Sequence, residues 1–282
     1  MSVKINFPEP PRIPAELPVY AAVPPAWDAE RVAEFGAQIG VRGDVTDAGV
    51  WFVLKDGKST LEVYQASQSF RLEQDDFDSE GRNGLHGGLD RARAIAMAEQ
   101  FHVMLGGPDT RPDLHSVTEL EVLVSTKEKT APERRVVALQ VNHRYAVDGM
   151  PLVGPGAKAQ VTVGRDGSIA QAYRFWREVK QSGTRQSVPA EQAFERFAAT
   201  DQFASLPDSA RVKVASVQVG LLCLPPTEAQ GILVPTYVLR GEVATESLPR
   251  YQFVSYVAAA EIDETDAKKR RWQAARPALL VA

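Results

Sequence analysis

The strongest constraint on the fold is a repeated order in which one helical segment precedes several strand segments. Apolar residues recur at helical spacing over 28–39, 89–105 and 189–199, and alternating β-prone runs follow each of these three segments. A helix laid on one face of an antiparallel sheet satisfies both patterns. The sequence therefore predicts an α+β fold built from such helix-on-sheet units.

Asp-Gly pairs mark turns between the predicted strands. Asp56-Gly57 separates runs 50–54 and 59–64, and Asp166-Gly167 separates runs 157–163 and 168–177. Because Asp-Gly suits the tight turns that match strand twist, both pairs indicate hairpins. The other predicted strands are 69–72, 119–125, 135–147, 212–222, 231–240 and 251–259.

The chain divides into five predicted segments. A length of 282 residues favours roughly two domains. Seven prolines between positions 8 and 25 predict an extended arm over 1–25, because proline fixes φ and has no N–H to donate. The other segments are a small α+β unit at 26–80, a first full unit at 85–182, a second full unit at 186–262 and a tail at 263–282.

Composition excludes several classes of protein. A hydrophobic fraction of 44% is too high for a disordered chain, and a single cysteine, Cys223, cannot form an internal disulfide. The net charge of 32 − 36 = −4 does not favour nucleic acid as a partner. No apolar run approaches the roughly 18 residues of a membrane span. The N-terminus shows no signal peptide, which predicts a cytoplasmic protein if that terminus is native and an extracytoplasmic one if a signal was removed.

Residues 135–177 carry a recognisable order of motifs. The strand 137–145 leads into Asp148-Gly149-Met150-Pro151-Leu152-Val153-Gly154, and a second strand and a hairpin then end in 173–177. Together with 188–193 and 233–239, this order resembles the PepSY and YycH/YycI-type regulatory modules. The resemblance covers 89–260 and implies tandem cystatin-like units. It also implies an exported or tethered protein that restrains a peptidase or a sensor kinase, and it supplies no catalytic residues.

The best candidate site is a cluster of arginines and aromatics. Alternation on the strand 168–177 places Tyr173, Phe175 and Arg177 on one face and Arg174 and Trp176 on the other. With two residues of the preceding strand, these side chains predict a ligand or partner surface on a concave sheet face. The predicted surface consists of Arg144, Tyr145, Arg174, Trp176 and Arg177.

Other motifs give weaker signals, so the sequence predicts no cofactor and no metal. The four histidines, His86, His102, His115 and His143, lack zinc-motif spacing. The acidic 73–80 loop partly matches a calcium loop that starts at Asp76, but position 87 is Gly instead of the required Glu, and calcium binding there is left open. Segment 149–158 departs from the phosphate-loop pattern and predicts a strand-to-strand crossover. Cys223 lies in an apolar run, which predicts a buried, unreactive thiol.

Three hypotheses on function follow. The first is a non-catalytic binding or regulatory protein that holds a peptide or protein on a sheet face, or on a sheet edge by strand addition. The second is an enzyme or small-ligand binder with a pocket between a helix and a curved sheet. The third is a structural subunit, a homo-oligomer whose 1–25 arm embraces a neighbouring copy.

Overall fold

The computed structural model describes residues 4–74, 90–105, 112–125, 132–203, 206–207, 209–246 and 249–261. The helices are α1 (Ala29–Gln38), α2 (Arg91–Met104), α3 (Ala190–Ala198) and a short 3-10 helix (Asp201–Phe203). In chain order, the strands are β1 (Lys4–Asn6), β2 (Glu16–Ala22), β3 (Val45–Asp47), β4 (Trp51–Lys55), β5 (Ser59–Tyr64), β6 (Phe70–Gln74), β7 (Asp113–Val124), β8 (Glu133–Arg144), β9 (Ala146–Val147), β10 (Met150–Val153), β11 (Lys158–Gly164), β12 (Ile169–Phe175), β13 (Val179–Gln186), β14 (Arg211–Leu222), β15 (Ile232–Leu233), β16 (Pro235–Ala244) and β17 (Tyr251–Ala258).

The largest element is an eight-stranded antiparallel sheet in the order β3-β4-β5-β6-β12-β11-β8-β7. Helices α1 and α2 pack on one face of this sheet, and their apolar residues share a single core with it. The core members include Val32 and Phe35 from α1, and Ala98 and Phe101 from α2. The two halves of the sheet meet where β6 pairs with β12, so strands β3 to β6 are continuous with strands β7, β8, β11 and β12.

Aspartate side chains cap the N-termini of helices α1 and α2. The Asp28 carboxylate accepts a hydrogen bond from the Arg31 amide at 2.9 Å, and the Asp90 carboxylate accepts one from the Ala92 amide at 2.9 Å. These bonds satisfy amides that lack partners in the first turn. The Asp90 cap sets the residue at which α2 begins. Helix α2 carries His102 in its last turn.

The second layer is a six-stranded sheet in the order β17-β16-β14-β10-β9, with β1 also paired to β14. The β14–β1 and β14–β10 pairs are parallel, whereas the neighbours β16 and β17 run antiparallel. Helix α3 covers one face, where Phe194 and Phe197 pack with Tyr237 and Leu239. Because strand side chains alternate, Arg240 projects from the opposite, helix-free face.

The proline-dense arm is part of the fold. Its strand β2 lies between β13 and β15 as the central strand of a three-stranded antiparallel sheet. Leu17, Val19 and Tyr20 are buried, and the Tyr20 hydroxyl donates to the Asp148 carboxylate at 2.7 Å. The Phe7 ring stacks on Phe194 at 4.4 Å. The arm is therefore paired within its own chain.

The tandem cystatin-like prediction is wrong. Of the residues that the structure describes, 51% lie in strands and 16% in helices. The helices α1 and α2 share one eight-stranded sheet, so they do not each cover a sheet of their own. Strands β9 and β10 pair into the six-stranded sheet although they lie between β8 and β11 of the other sheet. The error arose because the sequence pattern predicts elements but not which strands pair.

Several elements have boundaries that differ from those predicted from the sequence. The run 231–240 splits into β15 and β16, which belong to different sheets. The segment 149–158, predicted as a crossover, contains β10 and the turn into β11. The linker between the predicted 26–80 and 85–182 units and the tail from 263 onward lie outside the described residues. In the described part of the chain, no helix is long and apolar enough to cross a bilayer.

Candidate functional site

A cleft of about 670 Å³ lies where one end of the eight-stranded sheet meets the helix-free face of the six-stranded sheet. The large sheet contributes residues from β7, β8, β11 and β12, and the second sheet contributes residues from β10, β14, β16 and β17. This volume is within the roughly 300–1,000 Å³ of sites that bind small molecules.

The charge of the cleft is one-sided. Arg144 enters from the end of β8, Lys158 from the start of β11 and Arg240 from β16. Among the lining residues that the structure describes, none is Asp or Glu. The whole chain carries a net charge of −4, so the positive charge of the cleft is a local feature. Such a concentration of one sign attracts ligands of the opposite charge.

The cations are close enough to influence each other. Partial desolvation, and then the charge of Arg240, lower the pKa of Arg144. Desolvation and then the charge of Arg144 also lower the pKa of His115, which lines the same cleft from β7. Two guanidinium groups that repel each other across a cleft would be stabilised by an anion placed between them.

Neutral polar side chains line the same cleft. Asn142 and Tyr173 both lie opposite Gln160 in the strand register, on the face of the large sheet that carries no helix. The Gln160 amide donates to the Asn142 oxygen at 2.8 Å. On the facing sheet, the Gln218 oxygen accepts a hydrogen bond from the Arg240 guanidinium at 3.3 Å, which orients that cation.

The remaining lining is apolar, and close backbone packing shapes it. A Cβ on Gly154 would lie 2.6 Å from the carbonyl oxygen of Cys223, and one on Gly156 would lie 1.8 Å from that of Leu224. Only glycine allows the 154–156 turn to approach the 223–224 segment this closely. The apolar lining residues are Pro151, Leu152, Val153, Pro155, Ala157, Ala159, Pro225 and Val254.

The five sequence-predicted site residues do not form one surface. Arg144 is exposed and lines the cleft. Tyr145 and Trp176 are each only 3% exposed, and their rings pack at 4.7 Å in the core between the sheets. Strand β12 ends at Phe175, so the alternation expected through Trp176 and Arg177 does not continue.

Arg177 has a structural role. It is 1% exposed, and its guanidinium donates to the carbonyl oxygens of Leu224 at 2.7 Å, Pro225 at 2.8 Å and Glu228 at 2.6 Å. These bonds satisfy buried donors and acceptors together. Arg177 thereby fixes the loop after β14, and Pro225 of that loop lines the cleft.

Arg174 lies behind the cleft, on the helix-covered face of the large sheet. Its guanidinium lies 5.5 Å from the ring centroid of Phe70, a core residue. Its positive charge also acts on His102. His102 Nε2 lies 3.3 Å from His143 Nδ1, and both imidazoles are buried. His143 belongs to the lining of the cleft.

The buried histidines stay neutral near pH 7. Desolvation, then the charges of His143 and Arg174, lower the pKa of His102 to about 3. Desolvation lowers the pKa of His143, and the charge of Glu99 opposes that effect. In the described part of the chain, no group of three or more His, Cys, Asp or Glu could hold a metal ion. The acidic 73–80 loop lies largely outside the described residues.

Cys223 is fully buried, as its apolar sequence predicts. Desolvation raises the pKa of its thiol to about 12, although the charge of Arg177 opposes this. A thiol with so high a pKa forms almost no thiolate at neutral pH, so it is a poor nucleophile.

Lys158 and Arg240, the other two cations that line the cleft, were not predicted as site residues from the sequence. A weak signal was present for Arg240, because it interrupts the apolar strand run 237–243 at a position that alternates with buried Leu239. Nothing in the sequence indicated that this strand would face the end of β8, since the two belong to different sheets.

Comparisons with known proteins give the fold alone. No protein-family model matches the chain, and no curated protein matches it. One solved structure that is similar is the crystal structure of an uncharacterized protein from Eubacterium rectale ATCC 33656, with a TM-score of 0.52 and 8% identity. The match covers 92% of this chain and 87% of that one, so the similarity spans both sheets.

Proposed function

We propose that this chain is a non-catalytic binding protein whose cleft holds a small organic anion with an apolar body. The observation that carries the proposal is the convergence of Arg144, Lys158 and Arg240, with no carboxylate among the described lining residues. A guanidinium is always charged at neutral pH and offers paired donors to a carboxylate or phosphate.

The apolar part of the ligand follows from the rest of the lining. Eight apolar residues line the cleft beside the cations. An inorganic anion would leave this surface in contact with water, whereas a ligand with an alkyl or aryl body would bury it. Burial of apolar area contributes about 25 cal/mol per Å², so the body adds affinity that the head group alone cannot supply.

The size of the cleft favours a small molecule over a folded partner. A protein interface needs roughly 800 Å² from each side, whereas a cleft of about 670 Å³ encloses a ligand of modest size. The cleft lies between two sheets, so it differs from the helix-and-sheet pocket expected from sequence.

The test is isothermal titration calorimetry of the full chain at low ionic strength with four probes. These are hexanoate, phenylacetate, inorganic phosphate and an acetylated peptide of six residues ending in glutamate. We expect saturable binding heats for hexanoate and phenylacetate, and weaker binding of phosphate. Binding of phosphate alone, or of the peptide alone, would contradict the proposed ligand class.

Strand addition is the second candidate function. Strand β7 has 12 residues and pairs only with β8 among the described strands, so its outer edge presents backbone groups for an added strand. Of the β7 residues, only His115 lines the cleft, so a peptide on the outer edge of β7 would leave the other lining residues open. Titration of a strand-forming peptide against the protein saturated with hexanoate separates the two sites, because binding at β7 would be unaffected.

A further inference from the structure

Two tyrosines line the cleft, one from each of its two walls. Tyr173 lies on β12 of the large sheet, and Tyr256 lies on β17 of the second sheet. Tyr173 lies opposite Gln160 on the face of the large sheet that carries no helix. Tyr256 is two residues from Val254, which lies opposite Arg240, so these side chains share the helix-free face of the second sheet. The two rings therefore belong to the surfaces that face each other across the cleft.

Neither ring is part of a hydrophobic core. In the part of the chain that the structure describes, the four clusters of buried apolar residues contain neither Tyr173 nor Tyr256. Both side chains are half-buried, so part of each ring stays open to the cleft. Ligand pockets are lined mainly by apolar and aromatic side chains, and open rings on the wall of a cleft suit that use.

Other aromatic rings hold Tyr173 in place. Its ring stacks on Phe175, with 4.9 Å between the ring centroids and an angle of 24° between the ring planes. Phe175 in turn makes an edge contact with Tyr64 at 5.8 Å, and Tyr64 is buried. A side chain that is already ordered loses little freedom when a ligand binds, so Tyr173 is prepared for contact.

Each tyrosine lies beside one of the cations. On the large sheet, Tyr173 lies diagonally across the β11–β12 pair from Lys158. On the second sheet, Tyr256 lies diagonally across the β16–β17 pair from Arg240. Diagonal neighbours on one face of a sheet are about 7–8 Å apart. A ligand whose carboxylate contacts these cations therefore has the rest of its body beside the two rings.

The tyrosines themselves do not repel an anion. Desolvation raises the pKa of both phenols, and at Tyr256 the charge of Arg240 partly opposes this effect. Both hydroxyls therefore stay protonated and uncharged at pH 7, so the only charges that these two residue pairs present to the cleft are positive.

Resting on the proposed function, we infer that the body of the cleft ligand is an aromatic ring held between Tyr173 and Tyr256. The ligand class is then an arylalkanoate, in which a short linker joins an aromatic ring to a carboxylate. The cations bind the carboxylate, and the two phenol rings select the body. Offset-stacked and edge-to-face ring pairs gain more than the burial of apolar area alone, and a saturated body forfeits that gain.

The experiment compares two ligands that differ in the aromaticity of the body. Phenylacetate and cyclohexylacetate are titrated separately into the full chain in a calorimeter at low ionic strength. Cyclohexylacetate is the more apolar of the two, so walls that recognise apolar area alone bind it at least as tightly. We expect phenylacetate to bind about tenfold more tightly, because it gains two aromatic contacts.

The outcomes separate this inference from the proposed function. Equal affinities, or tighter binding of cyclohexylacetate, overturn the inference and leave the proposed function intact. Binding of hexanoate without binding of phenylacetate does the same. If hexanoate, phenylacetate and cyclohexylacetate all fail to bind, the inference and the proposed function are overturned together.

Variants of the two tyrosines test which rings are responsible. Tyr173→Leu and Tyr256→Leu keep an apolar side chain but remove the ring. We expect each to weaken phenylacetate binding severalfold and to leave cyclohexylacetate binding nearly unchanged. Tyr173→Phe and Tyr256→Phe keep the ring and should keep the preference for phenylacetate. An unchanged preference in both leucine variants, or its loss in the phenylalanine variants, would overturn the role of the rings.

Trp51→Leu is the matched control. Trp51 is a half-buried ring on the helix-free face of the same sheet, but it is outside the cleft lining. Its removal should leave the preference for phenylacetate unchanged, and a loss equal to that of the tyrosine variants would overturn the inference. Should a leucine variant fail to fold, nuclear Overhauser contacts between phenylacetate and labelled tyrosine rings of the wild type decide the question. Their absence in the saturated complex would overturn the inference.

Discussion

Arg144 and Arg240 face the same cleft from two different sheets, and the charge of Arg240 contributes to lowering the pKa of Arg144. Without an anion between them, the two groups repel each other. Ordinary surface arginines avoid such repulsion by moving apart, but Arg240 is held by Gln218. The arrangement is therefore better suited to a bound anion than to water.

The first prediction concerns Arg240. Its replacement in Arg240→Gln should weaken hexanoate binding by about tenfold or more, because one charge-assisted hydrogen bond is lost. Arg211→Gln makes the same change at an exposed position on β14, outside the cleft lining. Calorimetry of the two variants at one ionic strength provides the comparison. Equal losses in both would mean that only net charge matters.

A second prediction concerns stability at Arg177. Replacing it by methionine removes the three hydrogen bonds that its guanidinium donates, and of the three carbonyl oxygens only that of Pro225 keeps another donor in the described chain, the Glu228 amide. We expect the free energy of unfolding to fall by about 3 kcal/mol, measured by urea denaturation. Arg211→Met, at an exposed site, should change it by no more than roughly 0.5 kcal/mol. A similar small change in both variants would contradict the structural role of Arg177.

The buried histidine pair predicts a loss of stability in acid. The pKa of His102 falls from its ordinary 6.5 to about 3 on folding, so the unfolded chain binds more protons within that window. Stability from this group is complete above pH 6.5 and decreases as the pH falls towards 3, by up to about 1.4 kcal/mol per pH unit.

Urea denaturation of His102→Gln and the wild type between pH 4 and pH 7 measures that contribution together with its coupling to His143, since groups that do not interact with His102 titrate alike in both proteins. The variant should show the shallower dependence on pH. Identical slopes would mean that His102 is protonated in the folded protein.

A fourth prediction concerns the arm. Tyr20→Phe removes the hydrogen bond to Asp148 and should lower the free energy of unfolding by about 1 kcal/mol. Tyr251→Phe is the matched control at a half-buried tyrosine. If the arm were only a contact for another subunit, Tyr20→Phe would leave the stability of the monomer unchanged and alter the oligomeric state instead.

Part of this structure was accessible from sequence because local patterns encode local elements. The predicted helices agree with α1, α2 and α3 to within one or two residues at each end, and Asp166-Gly167 does join β11 to β12. Sheet membership was not accessible. The pairings of β6 with β12 and of β10 with β14 join residues about 70–100 positions apart, and no local signal specifies them.

The same limit explains the mixed outcome at the site. Arg144 was predicted and lines the cleft, whereas Arg177 and Trp176 serve the core. An arginine in a strand pattern predicts an exposed side chain. Burial of Arg177 is favourable only because three carbonyl oxygens of a distant loop accept hydrogen bonds from it. Lys158 and Arg240 line the same cleft only because the two sheets pack together, and the sequence does not indicate that packing.

Comparing a carboxylate with its own amide tests most directly whether the cleft binds an anion. Hexanoate and hexanamide have nearly the same size and apolar body, but only hexanoate carries a negative charge. We expect calorimetry at low ionic strength to detect saturable binding of hexanoate, which Arg144→Gln and Arg240→Gln together abolish, and little or no binding of hexanamide. Equal affinity for the two compounds, or hexanoate binding that survives the loss of both arginines, would contradict an anion site in this cleft.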